Sequence, residues 1–286
     1  MNDYVIFTDS TADLPQDIVK KFDIHVVPMK LTIDGKTFYE NEIDSSEFYG
    51  MLKTTHKLPT TTQVNPQEYE DCFEEYLKDG INVLYVCFSS ALSGCYNSAC
   101  IAANELSSKY ECKVKVVDSL SASLGEGMLV YKLALQKKNG LDFEQAAKWV
   151  EENRLKICHL FTVDDLNHLS KSGRLSKASA FFGSVLNIKP VLHVDDEGRL
   201  VAIDKARGRH KSLEMIAEKM KKYSEGVNND VIFISHGDCL NDAKELADKI
   251  KEKTGITNFV FGSITPMIGT HTGIGVLALF FEANQR

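Results

Sequence analysis

Ile81-Asn82-Val83-Leu84-Tyr85-Val86-Cys87-Phe88, followed by Ser89-Ser90-Ala91-Leu92-Ser93-Gly94, is the stretch from which the fold can be read. The first part is rich in apolar, β-branched and aromatic residues, the composition of a buried strand. Beyond the Ser/Gly turn, Cys95, Ala99, Ala102, Ala103 and Leu106 recur at helical spacing. A strand that breaks into such a turn and opens a helix gathers hydroxyls and unpaired N–H groups. An anion is favoured there, at the positive end of the helix. Taken alone, the turn reads equally well as Ser93 capping its own helix.

The same order recurs on either side. Residues 4–8 read as a strand running into Asp9-Ser10-Thr11-Ala12-Asp13 and a helix with Pro15 in its first turn. Residues 114–117 run into Asp118-Ser119 and a helix near 125–137. Strand, polar turn and helix, repeated, predict a parallel α/β sheet with ligands beyond the carboxyl ends of its strands. Asp9 and Asp118 serve equally well as caps and turn-formers. Residues 25–33 and 36–39 read as a hairpin about Asp34-Gly35. Residues 54–66 read as a polar loop holding Thr60-Thr61-Thr62-Gln63, and helices are expected at 47–53, 67–77 and 143–153.

The second half has a different texture. Strands are expected at 157–163, 231–236, 259–264 and 276–281, and helices at 164–169, 179–188, 212–223 and 242–253. A hairpin, 190–194 with 200–205, turns about Asp195-Asp196-Glu197-Gly198. Hairpins mixed with helical crossovers predict an α+β domain with a mixed sheet. The expected organisation is therefore α/β with two domains: a parallel-sheet αβα domain over 1–155 and an α+β domain over 156–286.

The chain has 286 residues, 43% hydrophobic and 26% charged, an ordinary globular composition. Its net charge of −7 argues against wholesale nucleic-acid binding. Seven cysteines with no C-x-x-C pair, and no leader signal, point to reduced thiols and a cytoplasmic location. No zinc-ligand spacing is present, and no cofactor or metal is expected.

Three polar clusters could meet between the halves: Thr60 to Gln63, Ser89 to Gly94, and Gly269-Thr270-His271-Thr272-Gly273-Ile274-Gly275. The last is neither G-x-G-x-x-G nor a P-loop. His271 is read in a loop between two strands, and His236 at a strand end competes with it as the functional histidine. Ser93 and His271, with Asp9 or Asp118, supply the residue types of a hydrolase triad, though no G-x-S-x-G elbow is present. Arg199, Lys205, Arg207, Arg209 and Lys211 stand against Asp204 alone, either a solvated face or a docking patch for an acidic partner.

At these clusters the sequence resembles the DegV family, the fatty-acid-binding carrier subunits of bacterial fatty-acid kinase. The resemblance runs through Thr8-Asp9-Ser10-Thr11-Ala12-Asp13, Thr61-Thr62-Gln63, Ser89 to Ala99, Gly173-Arg174-Leu175-Ser176-Lys177, Lys189-Pro190 and Gly269 to Gly273. It implies a DegV-like fold that buries a long-chain fatty acid such as palmitate or oleate. It also implies that the protein is not an enzyme but presents the carboxylate to a separate kinase, which makes acyl phosphate. The family's carboxylate contacts map onto Thr61 and Ser93, and a family histidine maps onto His271, for binding or for transfer. Thr62, Ser90 and Gly94 complete the candidate ligand-binding set, and Arg174, Arg207 and Arg209 are the candidate docking residues. Peripheral membrane contact for lipid exchange fits this role. The alternatives are a serine-dependent lipid or ester hydrolase and a lipid-responsive interaction module.

The chain departs from the family pattern at Val64, Cys95 and Ile274, where Pro, Thr and Pro are usual. None of these removes a carboxylate contact. Ala178, Ala180, Phe181, Phe182, Val185, Leu186 and Ile188 read equally as a wall for the acyl tail or as a plain core helix.

Overall fold

The computed structural model describes residues 3–55, 57–175, 187–284 and 286. The first part of the chain runs β1 (Tyr4–Asp9), α1 (Gln16–Phe22), β2 (Ile24–Val27), β3 (Lys30–Ile33), β4 (Lys36–Tyr39), α2 (Ser45–Thr54) and β5 (Thr60–Thr62). It continues through α3 (Pro66–Lys78), β6 (Asn82–Cys87), α4 (Cys95–Lys109), β7 (Val114–Asp118), α5 (Leu124–Lys138) and α6 (Phe143–Asn153). The remainder is β8 (Ile157–Thr162), α7 (Asn167–Lys171), β9 (Ile188–Val194), β10 (Leu200–Arg207), α8 (Arg209–Tyr223) and β11 (Ile232–His236). α9 (Leu240–Thr254), β12 (Phe259–Ser263), α10 (Pro266–Thr272) and β13 (Leu277–Glu282) follow.

Four strands form a parallel sheet in the order β2-β1-β6-β7. β1 and β6 are buried at every residue, as strands covered on both faces must be. A mixed six-stranded sheet has the order β10-β9-β8-β13-β11-β12, with only β11 and β12 parallel. α5 touches strands of both sheets. Leu124, Met128, Leu129, Val130 and Leu133 are fully buried there, so the helix has no broad polar face to give to water. One apolar core extends through both sheets, and a second lies where α8 and α9 cover the other face of the six-stranded sheet.

The expected α/β character, with a parallel sheet and a separate mixed one, is present. Three local readings change and one, the hairpin, holds. The run 25–33 is two strands in two sheets, broken at Pro28, which cannot donate to a ladder. The Asp34-Gly35 hairpin is present, with φ of 48° and 79° at its centre. Thr60 to Thr62 is not loop but β5, antiparallel to β3 with Leu31 opposite Thr61. Thr270, His271 and Thr272 lie not in a loop but in the last turn of α10, which Pro266 opens and Gly273 closes at φ 77°.

Of the helix expected at 179–188, residues 179–186 lie outside the described residues, and so does the tail wall from Ala178 to Leu186; Ile188 begins β9.

Candidate functional site

Three elements bring the head of the site together. β5 is fixed by its pairing with β3 and presents Thr61. The turn after β6 folds on itself, with the Leu92 and Ser93 N–H groups donating to the Ser89 carbonyl at 3.0 and 3.2 Å. α10 presents His271. The Thr61 Oγ1 and His271 Nε2 are 2.8 Å apart, a hydrogen bond across 210 positions of sequence.

The His271 Nδ1 is buried and has no partner among the described residues. Burial, then the charges of Arg174 and His168, push the His271 pKa down to about 4. The ring is therefore neutral near pH 7. Ser93 Oγ donates to Cys95 Sγ at 3.2 Å and accepts from the Cys95 N–H at 3.3 Å, so it keeps acceptor capacity. Gly94 caps α4, and a Cβ there would collide with the Gln63 carboxamide. With any larger residue at 94 the Gln63 carboxamide would have to swing away.

Behind these groups lies a cavity of about 770 Å³, including the open space at its mouth. Thr61, Ser93, Arg174 and His271 line it. Its walls are apolar, with Phe88, Leu92, Phe161, Met267, Val276 and Phe280 prominent. Val276, Ala278 and Phe280 alternate along one face at β13. Those four steps span about 13 Å at ~3.3 Å per residue. Thr11, Ser123 and His159 also border the cavity.

Several expected residues stand elsewhere. Thr62 and Ser90 are exposed, and neither lines the cavity; the Ser90 N–H donates to Asp118 Oδ1 at 3.2 Å. Arg174 borders the cavity next to His271 rather than standing out on the surface with Arg207. Arg209 donates to Asp242 at 2.8 Å and is held by that pair. Arg199 pairs with Asp195 and Glu197. Arg207 and Lys211 are exposed, so the basic segment is only partly neutralised within the fold. His236 does not line the cavity.

The hydrolase triad is not assembled. His271 bonds Thr61 and not Ser93, Asp9 accepts from Tyr85 and Thr11, and Asp118 accepts from the Ser90 and Leu120 N–H groups. Among the described residues no group of acids, histidines and cysteines is placed to hold a metal ion. Nor is any helix among them long and apolar enough to cross a membrane.

Sequence reading did not find the apolar wall of β13. The run 276–281 is apolar throughout, so it signals a strand buried on both faces without saying which face meets the cavity. The place of Arg174 beside His271 had no local signal, because residues far apart in sequence create it.

Comparison with known proteins gives a consistent result. A family model described as an uncharacterised protein family, DegV, matches residues 3–284. A DegV domain-containing protein of Clostridium perfringens is 46% identical over 100% of this chain and 99% of its own length. The crystal structure of DegV, described as a fatty acid binding protein, from Bacillus subtilis superposes with a TM-score of 0.86 at 31% identity. It covers 99% of this chain and 100% of that one. A fatty acid binding DegV family protein from Streptococcus agalactiae gives 0.90 at 29% identity, with 100% of both chains covered.

Proposed function

This chain belongs to the DegV family, and from that premise we propose that it is a fatty-acid carrier. It buries the acyl tail and presents the carboxylate to a separate kinase for acyl phosphate formation. One observation carries the reading: an apolar cavity whose lining also holds hydroxyls, a neutral imidazole and a guanidinium.

The energetics suit this ligand. A buried C16 chain gains on the order of 10 kcal/mol gross, at ~0.8 kcal/mol per methylene. The tail then supplies most of the affinity and the head group fixes position. The carboxylate still needs partners, since a charge buried without them is costly. The bonded Thr61–His271 pair has one proton to offer, the Thr61 hydroxyl or the His271 Nδ1–H according to the ring's tautomer; the Ser93 hydroxyl can turn to the ligand from Cys95, and Arg174 adds a charge-assisted donor. Ser93 and Arg174 are only partly buried, which suits a head group that a second protein must reach. Exposed Leu58, close before β5, suits brief contact with a lipid surface.

Native mass spectrometry of the purified protein should find a bound C14–C18 acid (chain lengths about those of common membrane lipids). Protein that carries none and ignores added palmitate and oleate would end the reading. Addition of a fatty-acid kinase and ATP to the loaded protein should yield acyl phosphate. Binding without any such product would leave a lipid-responsive interaction module, the second reading.

A further inference from the structure

The motif Thr8 to Asp13 takes no part in gripping the head group, yet it is buried from end to end. Asp13, its last residue, sits in the left-handed region at φ 52°, which aspartate tolerates better than most residues. Its carboxylate holds two separated donors. Oδ1 accepts from the Thr265 N–H at 2.9 Å, and Oδ2 accepts from the Ser123 hydroxyl.

These donors belong to different walls of the cavity. Thr265 caps α10, along which Met267, Ile268 and His271 face the cavity. Ser123 lines another side and is held at φ 55°, ψ −147°, a conformation costly for any side chain. The Ser235 hydroxyl, at 2.9 Å, supports it. Thr265 Oγ1 also donates to the Ser10 carbonyl at 3.1 Å, so the motif takes hold of the start of α10 twice. With seven residues, α10 is too short to hold its place unaided.

We infer that Asp13 is a positioning residue for the head-group site: by tying the start of α10 to the Ser123 wall it sets where His271 meets Thr61. What His271 then grips rests on the carrier reading above. The surroundings of Asp13 are acidic or neutral, with Glu40, Glu126 and Tyr49 within electrostatic reach. Burial holds its carboxyl up at about 7, against the lowering effect of Ser123 and Thr265. Its charge therefore changes near neutrality. Asparagine would keep an acceptor for Thr265 and offer Ser123 an amide donor, without charge.

The test uses delipidated full-length protein, ¹⁵N-histidine spectra and palmitate binding. Asp13→Ala should shift the His271 ring resonances and weaken palmitate about tenfold or more. Ile216→Ala, in the core beneath α8, should lower stability without doing either. In a His271→Ala background, Asp13→Ala should add no further loss. Asp13→Asn should restore both readouts and flatten their pH dependence around 7.

The inference is overturned if Asp13→Ala behaves like Ile216→Ala, or if its loss is undiminished without His271. Should Asp13→Ala fail to fold, an Asp13→Asn protein with unaltered pH dependence overturns it instead. If the wild type binds no palmitate, the carrier reading falls, and the His271 resonances alone still decide the role of Asp13.

Discussion

The two polar regions around the cavity treat buried polarity in opposite ways. Behind Thr11 and Ser123, every acid is closed by the protein itself. Asp9 accepts from the Thr11 N–H and hydroxyl, the Tyr85 hydroxyl and the Phe88 N–H. Glu126 accepts from the Thr8 and Thr11 hydroxyls, and burial, then Asp9, raises its pKa well above the usual carboxylate range. At the head of the cavity, His271 Nδ1 is left open and Thr61 and Ser93 retain capacity to bond. Closed polarity holds walls in place, whereas open polarity waits for a partner. A residue's chemistry does not separate the two, but its unspent hydrogen bonds do.

The largest effect should come from breaking the closed region. Asp9→Ala strands several buried donors at once and should cost about 3–5 kcal/mol of stability. Urea unfolding that matches the wild type would mean the region is not closed. The apolar wall comes next. Ala278→Phe should fill the slot, displace about three methylenes and cost ~2.4 kcal/mol of fatty-acid affinity without loss of thermal stability. Unchanged palmitate affinity would move the tail elsewhere.

At the open region, Thr61→Val should leave stability nearly intact and weaken palmitate by about 1–2 kcal/mol, with Ser93→Ala similar. Titration calorimetry on the double variant checks this, and full affinity there would relocate the head group.

A smaller effect is set by pH. In the free protein the His271 pKa lies near 4, and a carboxylate bound beside it favours the imidazolium and raises that value. Binding then takes up protons, so affinity should climb a few-fold as pH falls from about 7.5 to about 5.5. His271→Gln should remove the part of the slope that Asp13→Asn leaves in place. A flat profile in the wild type would separate the carboxylate from His271. Least of all should happen to lipid binding when Arg207 and Lys211 are changed to Glu. Kinase docking, measured by sedimentation or interferometry, should weaken in that variant, and docking that survives at low salt would make the pair plain surface.

The parallel sheet was legible because its signals are local: apolar runs such as 81–88, each followed by a polar turn and a helical repeat. The Asp34-Gly35 hairpin was legible for the same reason. β5 was not, because three threonines form a strand only when β3 lies alongside. α10 was missed because glycine, threonine and histidine have weak helix propensity, although Thr265-Pro266 is a serviceable start signal. Thr61, Ser93 and His271 are expected from resemblance, and all three line one cavity. Arg174, expected as a docking residue, lines the same cavity, since a guanidinium gives no hint in sequence of which neighbours it will meet.

The bond between Thr61 and His271 also has a meaning for synthesis. A chain emerging from the ribosome exposes the apolar strands of its first sheet long before the histidine exists. On the carrier reading, lipid cannot be gripped at its acid end until almost the whole polypeptide has been made and α10 has docked. Half-made chains should therefore leave cellular lipid alone, and cargo should load only onto finished molecules.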